Sequence, residues 1–237
     1  MLGIQHRPSW LTVLTPIALL MALPAIACAH GVTEGDQSFM EQSEGVHLFP
    51  YAYLGAKHMV TGYDHILFLI GVIFFLYRMK NIAIYVTLFS IGHSLTLLLG
   101  VLGGFHVNSY IVDAIIGLSV VYKGLDNINA FKRWFGFQPS TKGMVLIFGF
   151  FHGFGLAAKV QDFNLSSDGL VWNILAFNVG VEIGQLLALA FVLIAMSYWR
   201  KSPAYEKHAF ASNVSLMAAG FLLFGWQLTG YFASPVN

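Results

Sequence analysis

Six apolar segments divide this chain, at about residues 59–79, 82–104, 109–127, 143–160, 169–198 and 209–232. Each is close to the ~20 residues a helix needs to cross the hydrocarbon core of a bilayer. In lipid a backbone must satisfy its own N–H and C=O groups, so only helices or closed barrels can span, and apolar runs of this length select helices. The expected fold class is all-α: a polytopic membrane helix bundle with six transmembrane helices. Composition agrees, with 57% hydrophobic and only 10% charged residues, against about 25% charged in a soluble domain. A net charge of +1 without a basic patch argues against nucleic acid as a partner and leaves the lipid bilayer. A single cysteine excludes a disulfide framework, a Cys-rich zinc site and an iron–sulfur cluster.

Three parts are expected along the chain. Residues 1–29 read as a signal peptide: Arg7, an apolar stretch from Leu11 to Leu23, then Pro24 and the A-x-A element Ala27-Cys28-Ala29. An uncleaved first helix and a lipoprotein-type cut before Cys28 are the competing readings. Residues 30–50 form a polar, acidic arm with Glu34, Asp36, Glu41 and Glu44, and residues 51–237 form the six-helix domain. Nine of the twelve basic residues fall in alternate connections: Arg78 and Lys80, then Lys123, Lys132, Arg133 and Lys142, then Arg200, Lys201 and Lys207. The positive-inside rule makes these connections cytoplasmic and both mature termini periplasmic, in a bacterial inner membrane. Tyr51, Tyr53, Tyr110, Trp172 and Tyr231 are expected at the outer interface, and Tyr77, Trp134, Tyr198 and Trp199 at the inner one.

Polar residues inside the spans carry the functional signal, because an ionisable side chain in hydrocarbon is costly and is a functional-site candidate by default. The acids are Asp64, Asp113 and Glu182; the histidines are His65, His93 and His152, with His58 at the mouth of the first span. With the spans alternating in direction, all of these fall in the outer half or at the midplane, and the inner half holds no comparable group. Asp126 and the basic connection residues are expected to be solvated, and Phe74, Phe75, Phe148, Phe150 and Phe151 to face lipid or pack. His58 and His65 are seven apart and share a helix face. Asn178, Glu182 and Gln185 form an i, i+4, i+7 polar stripe. Gly180/Gly184 and Gly149/Gly153 have the four-residue spacing that lets helices approach closely. Gly92-His93-Ser94 resembles the glycine–histidine setting of His152.

Imidazole suits nickel, cobalt, copper, zinc and iron, and a carboxylate adds charge neutralisation or orients a ligating histidine. The expected cofactor or cargo is therefore a divalent transition metal such as Ni, Co, Zn or Cu. Its candidate ligands are His58, Asp64, His65, His93, His152 and Glu182, with Asp113, Asn178, Gln185 and Ser94 in supporting or pathway positions. Asp113 reads equally well as a helix–helix hydrogen-bond partner. Cleavage after Ala29 would expose His30 as a separate chelating N-terminal residue.

His58-Met59-Val60-Thr61-Gly62-Tyr63-Asp64-His65 reads H-x5-D-H. It is followed in order by Gly92-His93-Ser94, Phe151-His152-Gly153 and Phe177-Asn178-Val179-Gly180-Val181-Glu182-Ile183-Gly184-Gln185. Together these resemble the HupE/UreJ family of hydrogenase and urease accessory membrane proteins, over roughly residues 50 to 200. The resemblance implies an inner-membrane nickel or cobalt permease with six spans, and metal binding by the residues matching H-x5-D-H, here His58, Asp64 and His65. It also carries the family's F-H-G element onto Phe151, His152 and Gly153. The nickel-permease version of that element continues to a nearby glutamate. Here Phe154-Gly155-Leu156-Ala157-Ala158-Lys159 has none, as in the divergent branch of the family, and Glu182 on the next span is a substitute carboxylate.

Three functions remain open on the residues. The leading one is a metal permease or metal-delivery accessory protein. An intramembrane metal-dependent hydrolase with a periplasm-facing site would use Asp64 or Glu182 as general base, although no H-E-x-x-H or G-x-S-x-G is present. A non-transporting metal-binding protein would use the arm, with His30 and His47, as receptor and hand its ion to a metalloenzyme maturation partner. A homo-oligomer is compatible with all three.

Overall fold

The computed structural model describes residues 34–77, 79–105, 107–163 and 165–234. The expected signal peptide and His30 lie outside the described residues. Among the described residues the chain is all-helical. The helices are α1 (Glu34–Gln42), α2 (Leu48–Thr61), α3 (Tyr63–Ile73), α4 (Met79–Gly103), α5 (Ser109–Asn127), α6 (Ala130–Phe135), α7 (Thr141–Gln161), α8 (Leu170–Arg200) and α9 (Ala204–Ala233).

Four helices are long and apolar enough to cross a membrane: Lys80–Gly103 of α4, then α7, α8 and α9. This is a multi-pass membrane protein. The segments expected as spans one and three depart from the simple pattern. The first is divided at Gly62, whose φ of −72° and ψ of 110° end α2 and start α3. The expected helix over 59–79 is thus two pieces, the first beginning at Leu48, inside what was expected as the arm. α3 has 11 residues, about 16 Å at 1.5 Å per residue, too short to span alone. α5 has the length but carries Asp113, Lys123 and Asp126.

Glycines set the pairing of helices. A Cβ at Gly180 or Gly184 would strike the backbone of Ala52 or Ala56, so α8 lies directly on α2, with residue numbers rising together in a parallel pair. Gly149 and Gly153 bring α7 onto the carbonyls of Phe89 and His93 in the same parallel sense. The Thr96 hydroxyl adds a 2.8 Å hydrogen bond to the Phe150 carbonyl. Gly117 and Gly220 join α5 to α9 antiparallel. Both small-residue spacings seen in the sequence therefore do what their spacing implies. Between these pairs, α3 packs against α5 and α8. Its free C-terminal carbonyls are met by Arg200, which donates to Ile73 and Phe74, and by Tyr205, whose hydroxyl lies 2.6 Å from the Phe74 carbonyl.

The arm is described from Glu34 onwards. α1 buries Met40 completely in the main apolar core and pairs Asp36 with Lys57 at 2.7 Å. Gly45 and Gly169 then meet so closely that a side chain at Gly169 has no room. Asn173 clasps the crossing, accepting from the His47 amide at 2.7 Å and donating to the Gly45 carbonyl at 2.9 Å. Tyr51, expected at an interface, is buried in the core beside Phe39, because α2 starts early enough to turn it inward.

The opposite end of the bundle corrects two expectations. Lys123 and Asp126 are buried at 5% and 7% exposure, because α5 runs on to Asn127 and carries both beneath neighbouring helices. They form an ion pair, and Asp126 also accepts from Gln138 and Thr141. Asn127 bonds the Gly71 carbonyl and Asn213, each at 2.8 Å. That end is therefore not devoid of polar groups, and Asp126 is not solvated.

Candidate metal centre

The break at Gly62 builds the site. Ending α2 there leaves His58 in its last turn, and restarting the helix places Asp64 and His65 in the first turn of α3. A Cβ at Gly62 would meet the His65 Nδ1 at 2.5 Å and the Asp64 Oδ1 at 3.0 Å. Only glycine lets these side chains fold back under the turn. α4 delivers His93 and α7 delivers His152, held side by side by the glycine contacts between those helices.

Donor atoms from four helices converge. One atom each from His58, His65 and His93 lie within 4.8 Å of one another, as do one each from Asp64, His65 and His152. His65 belongs to both groups and is the hub. Its ring centroid is 5.0 Å from those of His58 and His152 and 6.3 Å from that of His93. Asp64 Oδ1 lies 2.9 Å from His65 Nδ1. His152 Nδ1 is 2.7 Å from the Phe148 carbonyl. A carbonyl only accepts, so Nδ1 carries the proton and Nε2 of a neutral ring presents its lone pair.

The donor set fits a divalent metal. His65 and His93 are 4% and 0% exposed, yet His65 Nε2 and both His93 ring nitrogens make no hydrogen bond among the described residues. Buried polar atoms are ordinarily partnered, and several bare imidazole nitrogens close to one another are what an ion would satisfy. The adjoining cavity, about 20 Å³, is lined by His58, Gly62, Asp64, His65 and His152, together with Asp113, Ile116, Leu156 and Lys159. It has room for about one water-sized occupant.

Aromatic rings form the floor. Phe89 stands 4.9 Å from His152 between ring centroids, Phe68 5.7 Å from His152 and 5.6 Å from Phe89. Phe148 packs on Phe68 at 5.8 Å. Below them a second cavity, about 10 Å³, is lined by apolar side chains with Tyr85 and Gln185. Phe68 and Phe89 escaped sequence reading, where only the Phe74/75 and Phe148/150/151 runs stood out. The recoverable signal is spacing: Phe68 is three residues after His65, and Phe89 four before His93.

Five of the six expected ligands gather here, and Glu182 does not: it is exposed on α8. The buried face of α8 runs from Gly180 and Gly184, which lie against α2, about half-way round the helix. At 100° per residue Asn178 and Gln185 remain at its edge, while Glu182 falls outside it. The expected three-residue stripe is thus a two-residue one. Asn178 is buried, donating to the Ile174 carbonyl at 3.3 Å. Gln185 accepts from Ser90 at 2.5 Å in the second cavity. Ser90, three residues before His93, takes the part expected of Ser94, which is only half-buried. Asp113 does reach the site, paired with Lys159 at 2.6 Å. α8 supplies no metal donor; its Phe177 packs on His58 at 6.2 Å.

No curated protein and no solved structure matches this chain. A family model does, described as HupE / UreJ protein and covering residues 34–235. That span takes in α1 to α9, including the H-x5-D-H turn, His93, the F-H-G element and the α2–α8 pair. The chain belongs to the HupE/UreJ protein family.

Proposed function

We propose that the protein binds a divalent transition metal, nickel or cobalt in the first instance, in the histidine cluster and passes it across or along the bacterial inner membrane. The carrying observation is the pair of donor groups, His58/His65/His93 and Asp64/His65/His152, which draw on α2, α3, α4 and α7 and share His65. On this reading the chain crosses the bilayer six times, with α2 and α3 together forming the first crossing. Broken helices of this kind recur in transporters where irregular backbone lines an ion site. Connections rich in Lys and Arg face the cytoplasm, so the metal pocket opens towards the periplasm beneath α1.

The metal is cargo. His58, His65, His93 and His152 would hold it, and Asp64 would supply charge and orient His65. Release inward requires the Phe68/Phe89/Phe148 floor to part, giving access to the cavity beside Gln185 and Tyr85. That floor favours a second form of the same reading, in which the ion is held and handed to a maturation partner from the periplasmic side. Uptake of labelled nickel and cobalt by cells, combined with metal content of the purified protein, separates the two. A permease loses uptake and bound metal together in His65→Ala and His152→Ala. A delivery protein loses bound metal with unchanged uptake. Unchanged metal content in both variants overturns the proposal.

A further inference from the structure

Resting on that reading, we propose that the Lys159 ammonium is a resident cation of the empty metal pocket, bound to Asp113 and displaced when a divalent metal enters. Both residues line the same cavity as His58, Asp64, His65 and His152. Asp113 is 6% exposed, and its Oδ2 sits 2.6 Å from Lys159 Nζ. A buried carboxylate needs a counter-charge, and Lys159 supplies one from the neighbouring helix.

Three observations make the pairing exchangeable. First, the partners are unequal: the Lys159 side chain is 21% exposed against 6% for Asp113. Lys159 lies in the last turn of α7, at the α1 end of the bundle, so its flexible stem can carry the ammonium out to water. Second, Asp113 lines the cavity with both oxygens turned to α7. Its Oδ2 takes Lys159, while its Oδ1 faces Gly155 of α7, where an added Cβ would come to 3.2 Å. Third, the charges balance only one way. With the histidines neutral, Asp64 and Asp113 together neutralise a divalent cation, and Lys159 becomes surplus positive charge beside it. The ion entering and the ammonium leaving are one exchange, and Lys159 lowers the affinity of the site so that the ion can depart again. Conduction and delivery both require binding that is reversible.

The test is Co(II) titration of the full chain purified in detergent, read by calorimetry and by the Co(II) absorption bands. Lys159→Gln is expected to tighten binding roughly tenfold, or ~1.4 kcal/mol, because removing a unit positive charge at close range relieves its repulsion of the metal. Lys159→Arg keeps the charge and is expected to bind as the unmodified protein does. Asp113→Asn weakens binding, and Asp113→Asn/Lys159→Gln binds more tightly than Asp113→Asn alone. The double variant leaves no unpaired buried charge, so it reports even if Lys159→Gln folds poorly. A merely structural ion pair predicts that removing Lys159 weakens binding or leaves it unchanged in both backgrounds; that result overturns the inference. A protein that binds neither Co(II), Ni(II) nor Zn(II) before any substitution overturns the proposed function and this inference together.

Discussion

Two charged regions lie inside this bundle, and they are built in opposite ways. In the histidine pocket His65 and His93 keep buried ring nitrogens without hydrogen-bond partners among the described residues. At the opposite end Asp126 is met by Lys123, Gln138 and Thr141, while Asn127 donates to Asn213, which donates in turn to the Ala209 carbonyl. Burial alone therefore does not mark a functional site here, since both regions are buried. The distinction is whether the protein itself completes the coordination. The saturated network ties α5 to α3 and α9 as structure, and the unsaturated one has capacity left for a ligand.

This contrast sets the expected effects of substitution. The largest is at the saturated end. Lys123→Met strands the Asp126 carboxylate among helices and is expected to destabilise the protein by about 3–5 kcal/mol, seen as a lower thermal midpoint in detergent, with the metal content of the surviving folded fraction unchanged. Next comes the hub of the unsaturated region. His65→Ala removes a donor common to both groups and should weaken Co(II) binding about 100-fold, while the thermal midpoint of the metal-free protein moves little. If His65→Ala instead unfolds the protein and keeps its metal, the two regions have been assigned the wrong way round. Gly62→Ala tests the turn between them. The added methyl pushes on the His65 ring, and binding should fall about tenfold without loss of helix content by circular dichroism. Ser90→Ala leaves Gln185 without its hydroxyl donor and should cost about 1 kcal/mol of stability, with Co(II) affinity unaltered. The smallest effect is expected at Glu182: Glu182→Gln should leave metal content, Co(II) affinity and thermal midpoint as they were.

Much of the pocket was legible before any coordinates. H-x5-D-H, the later histidines and the glycine spacings point to one candidate set, and donor atoms of five of its six members lie close together. Glu182 stands outside the gathered set, and periodicity alone does not predict this, because it gives relative angles between residues but not the direction of the packed face. Asn178, Glu182 and Gln185 span a narrow arc, and the boundary of that face falls inside it. Lys123 and Asp126 were read as solvated because charge near the end of an apolar run ordinarily marks a connection. Their burial depends on Gln138, Thr141 and the neighbouring helices closing over them, none of which is local in sequence.

An all-helical membrane fold follows from local rules alone, because long apolar runs in lipid have no other way to satisfy their backbone. The candidate site residues follow from the same rules, because imidazole and carboxylate in a membrane interior are costly and mark a functional-site candidate by default. Tertiary structure decided which of those groups come close enough to share an ion and which neutralise one another. That choice rests on close approaches across helices far apart in the chain, α2 on α8 and α4 on α7 through facing glycines, and on one broken turn at Gly62 that folds Asp64 and His65 back beneath His58.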